Sequence, residues 1–104
     1  MIVNNPDLKQ RAAVFKALAH PTRLFIIDEL AKTEQCVCKL TEMIGADTST
    51  VSRHLSVLKN AGIVDDEKRG LQVFYSLKTP CIIEFFTCVQ TAAGLSAGSD
   101  QLKR

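Results

Sequence analysis

The sequence predicts a mainly α-helical domain with one small β-hairpin, in the order helix, helix, helix, helix, strand, strand, helix. Two patterns and the chain length support this fold class. Apolar residues recur at helical spacing in five segments, which proline, glycine or short polar joints separate. In residues 71–77 the set Val73, Tyr75 and Leu77 instead alternates with Gln72, Phe74 and Ser76, which indicates a strand. At 104 residues the chain has room for one modest core and not for two.

Each predicted helix has a recognisable start or end. The predicted helices cover residues 6–19, 21–32, 37–44, 48–60 and 80–93. Asn5 and Asp47 are N-caps of the first and fourth helices, and Pro21 and Pro80 stand at the start of the second and last. Gly62 follows the fourth helix as a C-terminal glycine stop.

A hairpin is predicted after the fourth helix. Residues 63–69 form its first arm, Gly70 its turn, and residues 71–77 the returning strand. We expect residues 33–35, between the second and third helices, to be a polar joint without regular structure. The hairpin is therefore the only predicted β-structure.

The composition is that of a soluble globular protein. Hydrophobic residues make up 46% of the chain and charged residues 23%. No apolar run approaches the roughly 18 residues of a membrane span, so we expect a cytoplasmic protein with no membrane partner. We assign residues 1–93 to a single domain. Residues 94–104, rich in glycine, serine and charge, are expected to form a flexible C-terminal tail.

The charges are unevenly distributed, although the net charge is only +2. Cations dominate residues 1–23 and 48–62, whereas acids outnumber lysines in residues 24–46. Two positive segments on either side of an acidic one fit a molecule with a phosphate-facing side. Solvated helix faces are the alternative interpretation.

The segment from residue 38 to residue 62 has the organisation of a helix-turn-helix, with the turn at Gly45. In that motif the second helix enters the DNA major groove by its N-terminal residues. The exposed side of this helix offers short polar or basic side chains and no acid: Thr48, Ser49, Thr50, Ser52, Arg53 and His54. Serine and threonine bond phosphates or base edges, and arginine can bridge two acceptors of guanine. An ordinary polar helix face is the alternative.

The hairpin would form a wing beside this helix. Lys68 and Arg69 at its turn place two cations where phosphates of the neighbouring minor groove would lie. Because the acids at residues 65–67 stand beside them, we expect phosphate contact at the tip only, and a solvated turn is the alternative. Together these features predict a winged helix-turn-helix domain that binds DNA.

Five motifs carry a family resemblance. They are FKALAHPTRL (residues 15–24), QCVCKL (35–40), STVSRHL (49–55), LKNAGIV (58–64) and GLQVFYSL (70–77). In this order they resemble five segments of the ArsR/SmtB repressors: the opening signature, the thiol box, the recognition helix, the exit from that helix and the returning wing strand. The resemblance is greatest to the arsenic-responsive type. The resemblance covers about residues 8–90.

This resemblance implies a homodimer joined through the first and last helices and bound to double-stranded DNA at an inverted-repeat operator. It also implies repression that an inducer relieves. We expect no enzymatic activity and no obligatory cofactor.

Cys36 and Cys38 lie where a loop becomes the third helix. Residues two apart diverge on a helix, so we expect the first turn to be unwound if both sulfurs hold one soft ion. Thiolates select soft metals and metalloids, and the resemblance implies As(III), Sb(III) or a related metalloid as inducer. In this reducing compartment we expect thiol chemistry or core filling rather than a structural disulfide, and two small buried hydrophobes are the alternative reading of the pair.

The arsenic-responsive members carry a third cysteine where this chain has Thr41. The third ligand therefore stays open, and so does the choice among inorganic arsenite, an organoarsenical and another soft metal. An arsenical with one position already filled by carbon, or two-coordinate mercury, would need only Cys36 and Cys38.

Cys81 and Cys88 fall seven residues apart on the last helix, on an apolar stripe that we expect at the dimer seam. Packing is one interpretation of them. The others are a third ligand supplied across the dimer, and a disulfide or persulfide in a redox-sensing repressor of the same fold. His20 is expected to shape the junction before Pro21 rather than bind metal.

Two other classes of protein fit the cysteines less well. A thiol enzyme needs a base beside its nucleophile, and neither histidine lies near a cysteine in sequence. A structural zinc module needs C-x2–4-C spacing, which the four cysteines lack.

Overall fold

The computed structural model describes residues 4–95 and confirms the predicted fold class. Its elements are α1 (Pro6–Leu18), α2 (Pro21–Lys32), β1 (Gln35–Cys36), α3 (Val37–Ile44), α4 (Thr48–Asn60), β2 (Val64–Arg69), β3 (Gln72–Leu77) and α5 (Ile82–Ala92). The predicted C-terminal tail lies outside the described residues from residue 96 onward. The assignment of residues 1–93 to one domain stays a prediction.

The helices begin where the sequence supplies caps. The Asn5 side chain accepts the backbone N–H of Asp7 at 2.7 Å. Nδ1 of His20 accepts the N–H of Thr22 at 3.1 Å, which confirms that His20 shapes the junction before α2. Gly45 ends α3 in the left-handed region, at φ 78°, where a side chain would be strained.

Two helix ends differ from the predicted ones. α1 stops at Leu18 because Ala19 has a non-helical ψ of 59°. α5 starts at Ile82 rather than Pro80, since the amides of Ile82 and Ile83 bond three residues back, to Thr79 and Pro80, as in a turn.

The sheet has three strands rather than the two of a hairpin. β1 pairs antiparallel with β3, with Gln35 opposite Tyr75 and Cys36 opposite Phe74, and the strand order is β1-β3-β2. The prediction that residues 33–35 form a joint without regular structure is therefore wrong for Gln35, which belongs to β1. Two residues are too few for a periodic pattern, and this strand forms because β3 offers a free edge.

The core lies between the helices and the inner side of the sheet. Its buried residues are Ala17, Leu18, Ile26, Ile27, Leu30, Leu40, Val51, Leu55, Leu58, Ile63, Val64 and Tyr75. On α2 the predicted burial of Ile27 and Leu30 is confirmed, whereas Leu24 and Ala31, also predicted to face inward, are exposed. Val51, Leu55 and Leu58 of α4 are fully buried, so the opposite face of α4 is turned to solvent.

A polar contact ties α4 to α1 and α2. Nη1 of Arg23 lies 3.1 Å from Nδ1 of His54, and Nε of Arg23 donates to the carbonyl of Ala17 at 2.6 Å. The rings of His20 and His54 lie 4.4 Å apart between centroids. His54, predicted to face DNA, is thus half-buried and turned toward α2.

This contact requires a neutral His54, because Nδ1 can accept from Arg23 only without a proton. The pKa of His54 is lowered, first by burial and then by the nearby His20, Arg23 and Arg53. The surroundings therefore favour the neutral imidazole that this contact requires.

Replacing a buried residue of α4 should cost much more stability than replacing an exposed one. Leu55→Ala leaves a cavity under α4, and we expect it to lower the free energy of unfolding by about 2–5 kcal/mol. The control is Leu71→Ala, at a fully exposed leucine, which should change that free energy by about 0.5 kcal/mol or less. Urea unfolding followed by circular dichroism measures both, and equal costs would contradict this packing.

The His54 contact should make stability depend on pH. The pKa of His54 is lower in the folded chain than in the unfolded chain, so the unfolded chain binds more protons as the pH falls. The stabilisation from the Arg23–His54 contact is therefore complete above the ordinary pKa of 6.5 and is lost as the pH falls through the folded pKa. We expect the melting temperature to fall between about pH 7.5 and about pH 5. In His54→Asn, whose Oδ1 accepts from Arg23 without titrating, the fall should be smaller. An unchanged slope in this variant would show that the contact contributes nothing.

Candidate nucleic-acid interface and cysteine pair

The outward face of α4 carries a stripe of short polar and basic side chains. Ser49, Arg53 and Ser56 are exposed at spacings of four and three residues, and Thr48 is exposed at the start of the helix. Ser52 is half-buried beside this stripe. The sequence interpretation missed Ser56, although its position seven residues after Ser49 places it on the same side of a helix.

The start of α4 is held by Asp47. Its Oδ1 accepts the backbone N–H of Thr50 at 3.0 Å, and its Oδ2 accepts the hydroxyl of Ser49 at 3.3 Å. Hydrogen bonding, by Thr50 first, lowers the pKa of the Asp47 carboxyl. Thr50 is half-buried, so its side chain is less accessible than those of Ser49 and Arg53.

The two cations predicted at the wing tip have different surroundings. Lys68 is exposed and takes part in no ion pair among residues 4–95. Nη2 of Arg69 instead lies 2.8 Å from Glu34 and 2.7 Å from Glu67, and its guanidinium stands over the ring of Phe74. Hydrogen bonding to Arg69 lowers the pKa of Glu34. Arg69 is thus engaged with carboxylates rather than free for phosphate, a pairing across 35 residues that spacing could not reveal.

A second ion pair ties the wing to α4. Nζ of Lys59, in the last turn of α4, lies 2.8 Å from Oδ1 of Asp66 on β2, and Asp66 raises the pKa of Lys59. Exposed pairs of this kind contribute little stability, about 0–1 kcal/mol. The pair marks where β2 lies beside the last turn of α4.

Cys36 and Cys38 are brought together without unwinding α3. Cys36 lies before the helix in extended backbone, with φ −78° and ψ 157°, and its sulfur accepts the N–H of Lys39 at 3.3 Å. The two cysteines are joined as a disulfide, with 5.3 Å between their Cα atoms. The expectations of an unwound turn and of no disulfide are therefore wrong for this pair. The alternative of two buried hydrophobes is wrong too, since Cys36 is half-buried and Cys38 exposed.

The cysteine pair lines an open surface cavity of about 320 Å³, to which three parts of the fold contribute. Its lining comprises Cys36, Val37 and Cys38, then Thr48 and Ser52 of α4, then Leu71, Gln72 and Val73 of the wing. The side-chain amide of Gln72 donates to the sulfur of Cys38 at 3.7 Å. The sulfurs therefore share one cavity with two side chains of the candidate DNA-reading helix.

The other two cysteines lie at and on α5. Cys81 is the N-cap that precedes this helix rather than part of it as predicted, and Cys88 lies within the helix. Both are exposed free thiols, and the helix has no buried residue. Among residues 4–95 no three His, Cys, Asp or Glu side chains are grouped so as to hold a metal ion.

None of the helices in this part of the chain is both long enough and apolar enough to span a membrane.

Comparison with known proteins agrees with this architecture. Residues 20–66 match the model of the arsR family of bacterial regulatory proteins. An HTH-type transcriptional regulator of Methanocaldococcus jannaschii is 43% identical over 68 residues, which cover 64% of this chain and 76% of the relative. A homolog of the cadmium resistance regulatory protein CadC from Staphylococcus aureus is 46% identical over 67 residues, 64% of this chain and 55% of the relative.

A solved structure extends the likeness to most of the chain. The solution NMR structure of a homodimeric winged helix-turn-helix DNA-binding domain from Mycobacterium bovis, a possible ArsR-family regulator, has a TM-score of 0.76 and 32% identity. The match covers 90% of this chain and 87% of that one. The chain therefore belongs to the arsR family of DNA-binding transcriptional regulators, and it is not an enzyme.

Proposed function

We propose that this protein is a repressor that binds double-stranded operator DNA as a homodimer and leaves it when a thiophilic inducer binds Cys36 and Cys38. The inducer class is As(III), Sb(III) or a related soft metalloid. The cavity shared by the two sulfurs, the start of α4 and the wing carries this proposal. A ligand in that cavity would lie against the elements that face the DNA.

In the proposed complex α4 lies in the major groove, which is about 12 Å wide and admits a helix. The residues that face base edges and nearby phosphates are Thr48, Ser49, Thr50, Ser52, Arg53 and Ser56. Lys68 contacts a phosphate from the wing. His54 and Arg69 are left out of this set because Arg23, Glu34 and Glu67 already engage them.

The proposed dimer joins α1 and α5 of two copies. Both helices carry large apolar side chains that one copy leaves exposed, including Leu8 and Phe15 on α1 and Phe85 and Val89 on α5. The rings of Phe15 and Phe85 lie 5.9 Å apart between centroids, so the two helices form one continuous apolar surface. A two-fold axis here would place two reading helices about 34 Å apart on an inverted repeat.

The inducer acts in this proposal through the cavity. Soft metalloids prefer thiolate sulfur, and two sulfurs at the start of α3 can hold one such atom. α3 supports α4, and Gln72 and Val73 belong to the wing strand, so an atom at the sulfurs affects both DNA-facing elements. A coupling of about 1–3 kcal/mol between inducer and operator would weaken DNA binding 5- to 150-fold. No obligatory cofactor is proposed.

A second candidate is a redox-sensing repressor of the same fold. The disulfide between Cys36 and Cys38 favours oxidation of this pair as the signal. The redox pair expected from the sequence, Cys81 and Cys88, is exposed but not joined within one chain. An oxidant such as diamide, added without metalloid, separates this candidate from the first.

Arg53 should provide base discrimination, and Lys68 should provide general affinity. Arg53→Gln is expected to lose about 1–3 kcal/mol on the operator and less on an unrelated duplex. Arg53→Lys, the matched control, keeps the charge but loses bidentate recognition, so it should restore only the binding to unrelated DNA. Lys68→Gln should weaken both complexes equally and reduce the salt dependence.

Fluorescence anisotropy at several salt concentrations measures these affinities, with the DNA upstream of the protein's own gene as the operator. Equal losses on both duplexes in Arg53→Gln would show that Arg53 contacts phosphate and reads no base.

Removing Cys36 and Cys38 should abolish the response to inducer while leaving DNA binding intact. The reduced protein, bound to operator, is treated with trivalent arsenic, supplied as arsenite and as phenylarsonous acid. Cys36→Ser/Cys38→Ser should stay bound, because neither serine oxygen is a soft ligand. The matched control Cys81→Ser/Cys88→Ser should be released like the parent protein. The reverse pattern would move the inducer site to α5.

A further inference from the structure

We infer that a cleft between the end of α1 and the end of α4 holds a backbone phosphate of the DNA that α4 reads. Lys16 of α1, Arg23 of α2 and Asn60 of α4 line this cleft, called here the α1–α4 cleft. The inference rests on the DNA binding of the proposed function and not on its inducer. It adds a phosphate contact that lies apart from the wing and from the start of α4.

The α1–α4 cleft is positively charged. Its volume is about 410 Å³, and every lining residue lies in the segments 13–23 and 57–61. These segments belong to the two parts of the sequence in which cations dominate, residues 1–23 and 48–62. The fold thus brings the two positive parts of the sequence together at one place. The lining has two cations and no aspartate or glutamate, so the cleft suits an anion.

The polar groups of the cleft are free to bind such an anion. Lys16 and Asn60 are exposed, and their side chains make no hydrogen bond or ion pair within the described part of the chain. Arg23 donates to the carbonyls of Lys16 and Ala17 and contacts the neutral His54. None of these partners is a carboxylate, so the charge of Arg23 is not compensated.

Two helix ends adjoin the cleft and oppose an anion. α1 ends at Leu18 and α4 at Asn60, and each helix C-terminus is equivalent to about half a negative charge. The cleft carries the two full positive charges of Lys16 and Arg23. Because two full charges exceed two half charges of opposite sign, the cleft stays positive.

The cleft continues the DNA-reading face of α4. Asn60 lies four residues after Ser56, so it extends the exposed stripe that begins at Ser49. Asn60 lies about 10 Å beyond Arg53 along the helix, at a rise of about 1.5 Å per residue. The DNA major groove is about 12 Å wide. When Arg53 faces base edges inside the groove, the cleft therefore lies at the rim, where the phosphates run.

The cleft shares no residue with the apolar surface proposed for the dimer. That surface includes Leu8, Phe15, Phe85 and Val89, and none of them lines the cleft. Dimer formation and phosphate binding therefore do not compete for the same side chains. A two-fold dimer has two such clefts, one for each half of the operator.

Lys16 and Asn60 bind the phosphate in this account. Nζ of Lys16 and the side-chain amide of Asn60 donate to the phosphate oxygens, and Arg23 adds its charge beside them. A phosphate contact carries no base information, so this site sets affinity and the position of α4 in the groove.

Loss of Lys16 should weaken DNA binding without changing its specificity. Lys16→Gln should weaken binding to the operator and to an unrelated duplex equally, by about tenfold. It should also lower the slope of log affinity against log salt concentration by about 1, and Lys16→Arg should restore that slope. Asn60→Ala removes no charge, so it should weaken both complexes by about threefold at an unchanged slope.

Fluorescence anisotropy of the reduced full chain at several salt concentrations measures these affinities. The matched control is Lys32→Gln, since Lys32 pairs with Glu29 outside the cleft, and it should bind like the parent protein. Arg23 is kept in all variants because it also contacts His54 and the end of α1.

A single-phosphate cycle locates the contact on the DNA. Operator duplexes each carry one neutral methylphosphonate in place of a backbone phosphate, moved stepwise along a half-site. At one linkage the replacement should cost the parent protein about tenfold in affinity and should cost Lys16→Gln almost nothing, because the charge that it met is already gone. All other linkages should cost both proteins the same.

The outcomes separate this inference from the proposed function. If Lys16→Gln binds like the parent protein, or if no linkage shows the coupling, the inference is overturned while DNA binding stands. In that case, an NMR shift of the Asn60 side-chain amide with inorganic phosphate would identify the cleft as a site for a free phosphate compound instead. Failure of the parent protein to bind any duplex overturns the inference and the proposed function together. The expected coupling in a protein that ignores trivalent arsenic supports the inference and overturns only the proposed inducer.

Discussion

The buried side of α4 determines what this protein can present to DNA. Val51, Leu55 and Leu58 are removed from water, and this burial turns Ser49 and Arg53 outward at helical spacing. The Arg23–His54 contact ties the same helix to α2, so the rotation of α4 about its axis is set from two directions. Other features of the candidate site are arranged around this one helix. The wing is tied to its last turn through Lys59 and Asp66.

The cysteine pair draws its proposed role from its position rather than from its chemistry alone. Cys36 is both the last residue of β1, paired with β3, and the N-cap of α3. A change at Cys36 therefore lies opposite Phe74 of the wing strand β3 and directly before the supporting helix α3. Glu34, just before β1, adds an ion pair to Arg69 of the wing. The segment from 34 to 38 thus connects the wing with the helix-turn-helix, which makes it a suitable place for a signal.

Much of the fold could be predicted from the sequence because its helices have local signals. Caps such as Asn5 and Asp47, and the stop at Gly62, depend on neighbouring residues only, so the helix bounds were correct or nearly so. β1 was missed because two residues become a strand only when β3 lies beside them. The surroundings of His54 and Arg69 depend on partners 31 and 35 residues away. The exposed stripe of α4 was predictable because it follows from spacing within one helix. The cavity beside the cysteines was not, because residues from separate parts of the chain line it.

In the proposed function, the sulfurs of Cys36 and Cys38 communicate with both DNA-facing elements. The most direct measurement is a ¹⁵N NMR titration of the reduced Cys81→Ser/Cys88→Ser protein with one equivalent of phenylarsonous acid. We expect amide shift changes at the start of α3 that extend to Thr48 and Ser52 and to residues 71–73. Changes confined to the cysteines and their immediate neighbours, with α4 and the wing unmoved, would contradict this expectation.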